Sequence, residues 1–434
     1  MEATKKTFMD SFAENAAKFG TQVHLRSLRD AFATIMPLYI LAGIAVLLNN
    51  VVFNKFLHGA AADATTYWGN MVINGTLSIA GLMIAPTIAY CLSQNLGYEK
   101  KFISAVIALA AMVVMMPGSV QIIPEDGSIA VTVSGVLSYS NLGAGSMFAG
   151  IIVGLLATEF FIRVSNVKQF QINLGDEVPP AVSRSFNVLI PVIIVVSSFA
   201  VISTVLFKGF NTDLIKLIST IIQTPLKNIG TSLVGCLVLY SLGNLLFTQG
   251  IHHSVIYSSL LEPLLIINMT ENMAAFAAGE KVPNILNVSM VPVFGLIGGS
   301  GCTICLVIAT LLFSKYEPSR DIIKLAIVPS CFNINEPIIF GYPIVFNYAL
   351  VIPFILVPAM GITIGYFATA IGFINPCVVQ IPWTTPPLIS AFLATGGDFR
   401  AVLVQLVIIV LGVFIYIPFM KASEVVQKKL SEVE

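Results

Sequence analysis

Between Leu325 and Gly397 lie 73 residues, and one of them, Glu336, is charged. A carboxylate among apolar residues is expensive unless it is paired or hydrated, so its place in SCFNINEPIIFGYP (330–343) reads as a working group. The alternative is a structural Glu satisfied by hairpin amides. Pro337 keeps Glu336 out of the α region and suits the first position of a half-helix. Asn333, Asn335 and Glu336 would then crowd the positive end of a helix dipole, where hydroxyls or a phosphoryl group are well received.

A second uncharged stretch, from Lys227 to Glu262, contains TQGIHHSVIYSS (248–259). Adjacent residues on a helix point about 100° apart, so at most one of His252 and His253 is expected to face a given cavity. The competing reading is an interhelical hydrogen bonder. A third stretch, QIPWTTPPLISAFLATGGDFR (380–400), holds Trp383, one of two tryptophans, beside Thr384 and Thr385. An indole there suits stacking on the apolar face of a pyranose, and otherwise serves as an interfacial belt residue.

Other motifs carry less. GLIGGSGC (295–302) lacks the Lys of a phosphate-binding loop, and its glycines read as close helix packing. Cys302 and Cys305 have redox or metal spacing but no His beside them, and the cysteines read as reduced packing residues. No metal site, nucleotide loop or cofactor is expected. His24 and His58 flank the first span and need no functional reading.

The elements that must position these residues follow from composition. The 434 residues are 56% hydrophobic and 10% charged, against about 25% charged in soluble domains. Mean hydropathy is +0.90. Lys plus Arg and Asp plus Glu both number 22, so the formal charge is zero. Soluble enzymes, nucleic-acid binders and disordered scaffolds are excluded.

Apolar runs long enough to span a bilayer fall near 31–53, 70–92, 102–117, 143–162, 185–207, 231–249, 251–267, 285–314, 344–372 and 400–420. This predicts an all-α polytopic membrane protein of about ten transmembrane helices. The proline-broken stretches 325–343 and 376–397 are expected to be re-entrant hairpins lining a polar site. Apolar residues at helical spacing in 208–230 predict an interfacial amphipathic helix.

The expected organisation is a cytoplasmic amphipathic segment (1–30), a five-span domain (31–207), the connecting helix (208–230), a transport domain (231–420) and a tail (421–434). Residues 1–30 carry Lys5, Lys6, Lys18, Arg26 and Arg29 without a long apolar core, unlike a cleaved signal peptide. Lys100, Lys101, Arg163, Lys168 and Arg184 sit in two connections, whereas 118–134 holds only Glu125 and Asp126. This asymmetry is expected to place the N-terminus and the basic loops in the cytoplasm, and ten crossings then bring the tail to the same side.

NINEPIIFGYPIVFN (333–347), GIHH (250–253) and PWTTPPLISAFLATGG (382–397) together resemble the enzyme IIC membrane subunit of the sugar phosphotransferase system, in its lactose, cellobiose and diacetylchitobiose group. The likeness extends through LGAGSMFAGIIVGLLATEFF. The resemblance implies a bacterial inner-membrane permease, homodimeric through its N-terminal half. It implies sugar bound between re-entrant loops, with Glu336 and His252 near the hydroxyl to be phosphorylated. Asn333, Asn335, His253, Trp383 and Thr384 complete the expected substrate contacts. A soluble IIB partner, charged by IIA upstream, would supply the phosphoryl group from a phosphocysteine. The chain would then be the membrane component of a phosphoenolpyruvate-dependent phosphotransferase, without a donor residue of its own. A β-linked disaccharide is expected, cellobiose ahead of diacetylchitobiose or lactose. The competing function is a proton-coupled sugar symporter with Glu336 as proton carrier.

Overall fold

The computed structural model describes residues 22–53, 56–122, 131–172, 186–223, 225, 231–342, 344–345 and 347–431. The lead-in 1–21, Glu125 and Asp126, Arg184, Lys227 and the last three residues lie outside them.

The described residues are mostly helical, with one antiparallel hairpin among them, β1 (Ser119–Ile122) and β2 (Val131–Ser134), paired Ser119 to Ser134. The first helices are α1 (Val23–Leu47), α2 (Ala60–Gly75), α3 (Ala80–Asn95), α4 (Lys101–Val114), α5 (Met147–Ser165), α6 (Leu189–Thr204) and α7 (Leu214–Ile218). Next come α8 (Leu233–Phe247), α9 (Glu262–Ala277), α10 (Met290–Gly295), α11 (Ile304–Phe313) and α12 (Glu317–Cys331). The last are α13 (Glu336–Gly341), α14 (Tyr348–Ala370), α15 (Ile389–Ala394) and α16 (Phe399–Ser431).

Six helical stretches among the described residues are long and apolar enough to cross a membrane. They are Val23–Asn50, Ala60–Asn95, Ala144–Ser165, Leu189–Gly209, Tyr348–Ala370 and Phe399–Lys429. A bent pair, Met290–Cys302 with Ile304–Phe313, makes a seventh if taken as one span. The chain is a multi-pass membrane protein.

Besides the bent pair within 285–314, three runs read as spans from the sequence are shorter or divided. α4 stops at 14 residues, ahead of Met115, Met116 and Pro117, and Pro117 cannot donate to a continuing ladder. α8 stops at 15 residues. The 251–267 run is split into Ser254–Ile256, a π turn at Tyr257–Leu261 and α9. Within the stretch 208–230, the described residues include the five-residue α7 and a π turn at Ser219–Gln223. Asp213 caps α7 by accepting the Lys216 N–H at 2.9 Å. The lead-in expected over 1–30 is already part of the first helix from Val23 onward.

The chain divides into two compact units, Gln22–Tyr39 with Met71–Lys227, and Ile40–Asn70 with Asn228–Glu434. In the first, small residues spaced four apart let α3 and α5 touch backbone to backbone. A Cβ on Gly150 would stand 2.4 Å from the Gly81 carbonyl oxygen, and one on Gly154 2.7 Å from that of Ala85. In the second, a fully buried core of Phe294, Phe354, Ile408 and Tyr416 joins α10, α14 and α16. All the sequence-predicted site residues belong to this second unit.

Candidate functional site

The site is built where four helices end. α8 ends in a Schellman motif: the Gly250 N–H bonds the Phe247 carbonyl and the Ile251 N–H bonds that of Leu246, both at 3.0 Å. Gly250 takes the left-handed conformation (φ +84°) that this motif demands and that glycine enters without steric cost. The chain emerges into GIHH as a turn, and the next helical residue is Ser254. The two imidazoles therefore do not diverge as they would on a helix. Their ring centroids are 4.8 Å apart, and Phe247 lies 4.7 Å from His252 and 5.9 Å from His253.

The histidines nonetheless differ. His252 is exposed. Its Nδ1 accepts the Ser254 backbone N–H at 3.2 Å, and since an N–H can only donate, the neutral ring carries its proton on Nε2. Glu336 stands close enough to His252 for their charges to interact. His253 is partly buried, stacks on Phe247 and shares a hydrogen bond with Ser300 Oγ at 3.0 Å.

Ser300 belongs to a break, bent by 58°, between α10 and α11. The sequence reading treated 285–314 as one span and its glycines as packing residues. The structure makes Gly298, Gly299 and Gly301 left-handed, with φ of +76°, +104° and +76°, which ends the ladder between the two helices. Non-helical backbone at membrane depth needs other partners for its polar groups. Here side chains supply them. Gln405 donates to the Val293 carbonyl and Tyr240 Oη to that of Gly295. Thr303 Oγ1 donates to Gly298, Asn335 Nδ2 to Ser300 and Tyr416 Oη to Gly301.

α12 ends in a second Schellman motif. The Asn333 N–H bonds Ser330 and the Ile334 N–H bonds Pro329, each at 3.0 Å. Asn333 fills the left-handed position (φ +62°), which asparagine tolerates better than most residues. Residues 325–331 are thus helical, although Pro329 had suggested broken backbone. The buried Asn333 side chain accepts the Gly298 N–H at 2.8 Å and donates to the carbonyls of Trp383, at 2.7 Å, and Thr385, at 3.0 Å. Asn335 is buried against Ser300 and Thr303. Both amides, read from the sequence as facing substrate, are engaged with the protein's own frame.

Glu336 follows as the first residue of α13 and is exposed. α13 has only six residues, so helix-end electrostatics lend it little. Trp383 is held through its carbonyl while the residue stays 51% exposed. Thr384 is partly buried beside it. In the second expected hairpin, irregular chain from Asn375 folds back so that the Val378 and Val379 N–H groups both bond the Ala394 carbonyl at the end of α15.

The structure thus gathers three exposed groups, Glu336, His252 and Trp383, on a frame of buried asparagines, serines and threonines. An acceptor, a donor and an aromatic face are what a polyhydroxylated ligand requires. Ser300, Thr303, Tyr240, Tyr416 and Gln405 were missed in the sequence. The cluster of glycines at 295–301 was the available signal for the break. All six cysteines are free; five are buried, and Cys331, expected among packing residues, is exposed.

A multi-pass protein with polar groups held at breaks in apolar helices is of the transporter class. Residues 29–358 match the family model described as Phosphotransferase system, EIIC, and the chain belongs to that family. It is 32% identical over 425 residues to the lichenan permease IIC component of Bacillus subtilis (strain 168), covering 96% of this chain and 92% of that one. It is 32% identical to the cellobiose-specific EIIC component of Geobacillus stearothermophilus, covering 93% and 90%. Its fold matches the crystal structure of the transporter ChbC, the IIC component from the N,N'-diacetylchitobiose-specific phosphotransferase system. That match has a TM-score of 0.91 and 30% identity over 98% of this chain and 99% of the other.

The two histidines should separate experimentally. His252→Ala is expected to impair sugar phosphorylation with a smaller loss of thermal stability, since His252 is exposed. His253→Ala is expected to lower the unfolding temperature, because it strips a stacking partner from Phe247 and a hydrogen-bond partner from Ser300. Uptake assays beside melting curves check this, and a thermally neutral His253→Ala with the larger loss of uptake would reverse the two roles.

Proposed function

We propose that this chain binds a β-linked disaccharide, cellobiose foremost, carries it inward and presents it to a phosphorylated IIB protein. The observation that carries the reading is the grouping of exposed Glu336, His252 and Trp383 on one braced frame in a chain of the EIIC family. The names of the relatives point to lichenan, cellobiose and N,N'-diacetylchitobiose, and the last two are themselves β-linked disaccharides.

In this reading Trp383 stacks on one pyranose and the other ring offers a hydroxyl to Glu336 and His252. The hydroxyl oxygen attacks the phosphorus of the partner's phosphocysteine. The P–S bond breaks, the thiolate leaves on IIB, and Glu336 accepts the hydroxyl proton late in the transfer. His252 Nε2–H orients the oxygen as a donor. Asn333 and Asn335 act by holding the frame. The proton-symporter reading is not taken up, because the family is a phosphotransferase system.

The proposal extends to topology. α4, α8 and the divided 254–277 segment complete ten crossings with both termini cytoplasmic. The stretches around 325–343 and 376–397 are re-entrant, the 208–230 segment lies at the interface, and a homodimer forms through residues 31–207. Lys100, Lys101, Arg163, Lys168, Lys315 and Arg320 steer the partner to the cytoplasmic face.

Liposomes of purified protein are expected to bind cellobiose yet yield sugar phosphate only after phosphorylated IIB is added. Unlabelled β-linked disaccharides should compete with labelled cellobiose. Phosphorylation from a small-molecule donor without IIB would overturn the division of labour, and preference for a monosaccharide would overturn the substrate.

A further inference from the structure

Two buried carboxamides from different elements each hold the same two pieces of the site together. Asn333 bonds Gly298 on the break and the carbonyls of Trp383 and Thr385. Gln405, on α16 and 1% exposed, donates through Nε2 to the Val293 carbonyl of α10 and accepts the Leu388 N–H through Oε1. Its nitrogen also lies 3.3 Å from Ser390 Oγ. A backbone N–H can only donate and a carbonyl only accept, so these partners fix which way the Gln405 amide points.

Between the two anchor points runs the chain from Trp383 to Leu388. Leu388 has φ +70°, a left-handed conformation that costs a leucine free energy and persists only where neighbours enforce it. The bond from its own N–H to Gln405 is one of the contacts that hold it there. Without Gln405, the Leu388 N–H and the Val293 carbonyl would both lose their partners inside an apolar span. Leu388 would then be free to turn to a right-handed or extended conformation, and the segment would be left on its Asn333 anchor alone, loosening the seat of Trp383.

We infer that Gln405 is a positioning residue for the aromatic face of the site. Acting through Leu388 and without touching ligand, it fixes where the Trp383 indole stands relative to the broken helix. For its effect on sugar affinity the inference rests on Trp383 as the stacking residue proposed above.

The test exploits the chain's two tryptophans, Trp68 and Trp383. In full-length Trp68→Phe protein in nanodiscs, Trp383 is the sole indole reporter. Gln405→Leu is expected to shift the Trp383 emission maximum and its acrylamide quenching in the absence of sugar. It is also expected to weaken cellobiose binding at least about tenfold, the scale of one or two lost hydrogen bonds. Ser390→Ala, which removes only the longer contact, should change neither. If Gln405→Leu yields no folded protein, Gln405→Asn is measured in its place, because it keeps a carboxamide one methylene too short to reach both partners. A folded variant with a lower unfolding temperature but unchanged Trp383 emission and quenching would mark Gln405 as merely structural and overturn the inference. If the Trp68→Phe parent itself gives no cellobiose response, the stacking role of Trp383 falls, and the sugar-free fluorescence still decides the role of Gln405.

Discussion

Glu336→Gln is expected to fold, to retain measurable though altered cellobiose binding, and to lose sugar phosphorylation by at least about 10²-fold, the usual scale of a lost general base. The substitution keeps the side chain's size and replaces the proton acceptor with an amide. Because Glu336 is exposed at the start of α13, the change breaks no buried contact. Stability should be nearly untouched, which separates this variant from one that fails through folding. The measurement is sugar phosphate formed per minute in proteoliposomes supplied with phosphorylated IIB, beside a melting curve. Phosphorylation within a few-fold of the unaltered protein would remove Glu336 from the chemistry.

Gly301→Ala is expected to destabilise the chain by several kcal/mol, enough to lose folded protein. Gly301 has φ +76°, and a Cβ there would lie 2.2 Å from Cδ2 of Phe354, a fully buried core ring. The left-handed backbone alone costs an alanine about 1 kcal/mol or more. Overpacking a filled core typically adds about 1–3 kcal/mol. The control is Gly75→Ala near the end of α2, where nothing lies within 4 Å of the new methyl. That change should be neutral or slightly stabilising. Yield of monodisperse protein and unfolding temperature in detergent read both. Equal melting of Gly301→Ala and the parent would mean that the break between α10 and α11 yields easily.

Much of the architecture was legible because hydropathy reports burial in lipid directly. The long helices α1, α5, α6, α14 and α16 coincide with apolar runs read from the sequence. Glu336, His252 and Trp383 stood out because each is a rare polar or aromatic group in a stretch without charge, and each is exposed in the fold. What was not legible is what holds them. Hydropathy does not distinguish a continuous helix from one broken by left-handed glycines, so 285–314 read as a single span. The histidine pair was assigned helical divergence because nothing local showed that helical residues resume only at Ser254. The bonds that frame the site join residues 35, 50 and 112 positions apart, from Asn333 to Gly298, Asn333 to Trp383 and Gln405 to Val293. Such pairings depend on the tertiary fold. The asparagines of NINEP accordingly looked like ligand contacts, whereas their amide groups are used inside the frame.

The side-chain capping of the break bears on how the site behaves when it changes sides. The carbonyls of Val293, Gly295, Gly298, Ser300 and Gly301 are met by protein groups. Were the bend held by water alone, each arrival and departure of sugar in the proposed cycle would strip and rebuild part of that hydration. With protein donors bonded to them, the bend should keep its angle as sugar and water exchange in the proposed transport cycle. Under the proposed function, Glu336 and His252 would then meet each new sugar in the same arrangement.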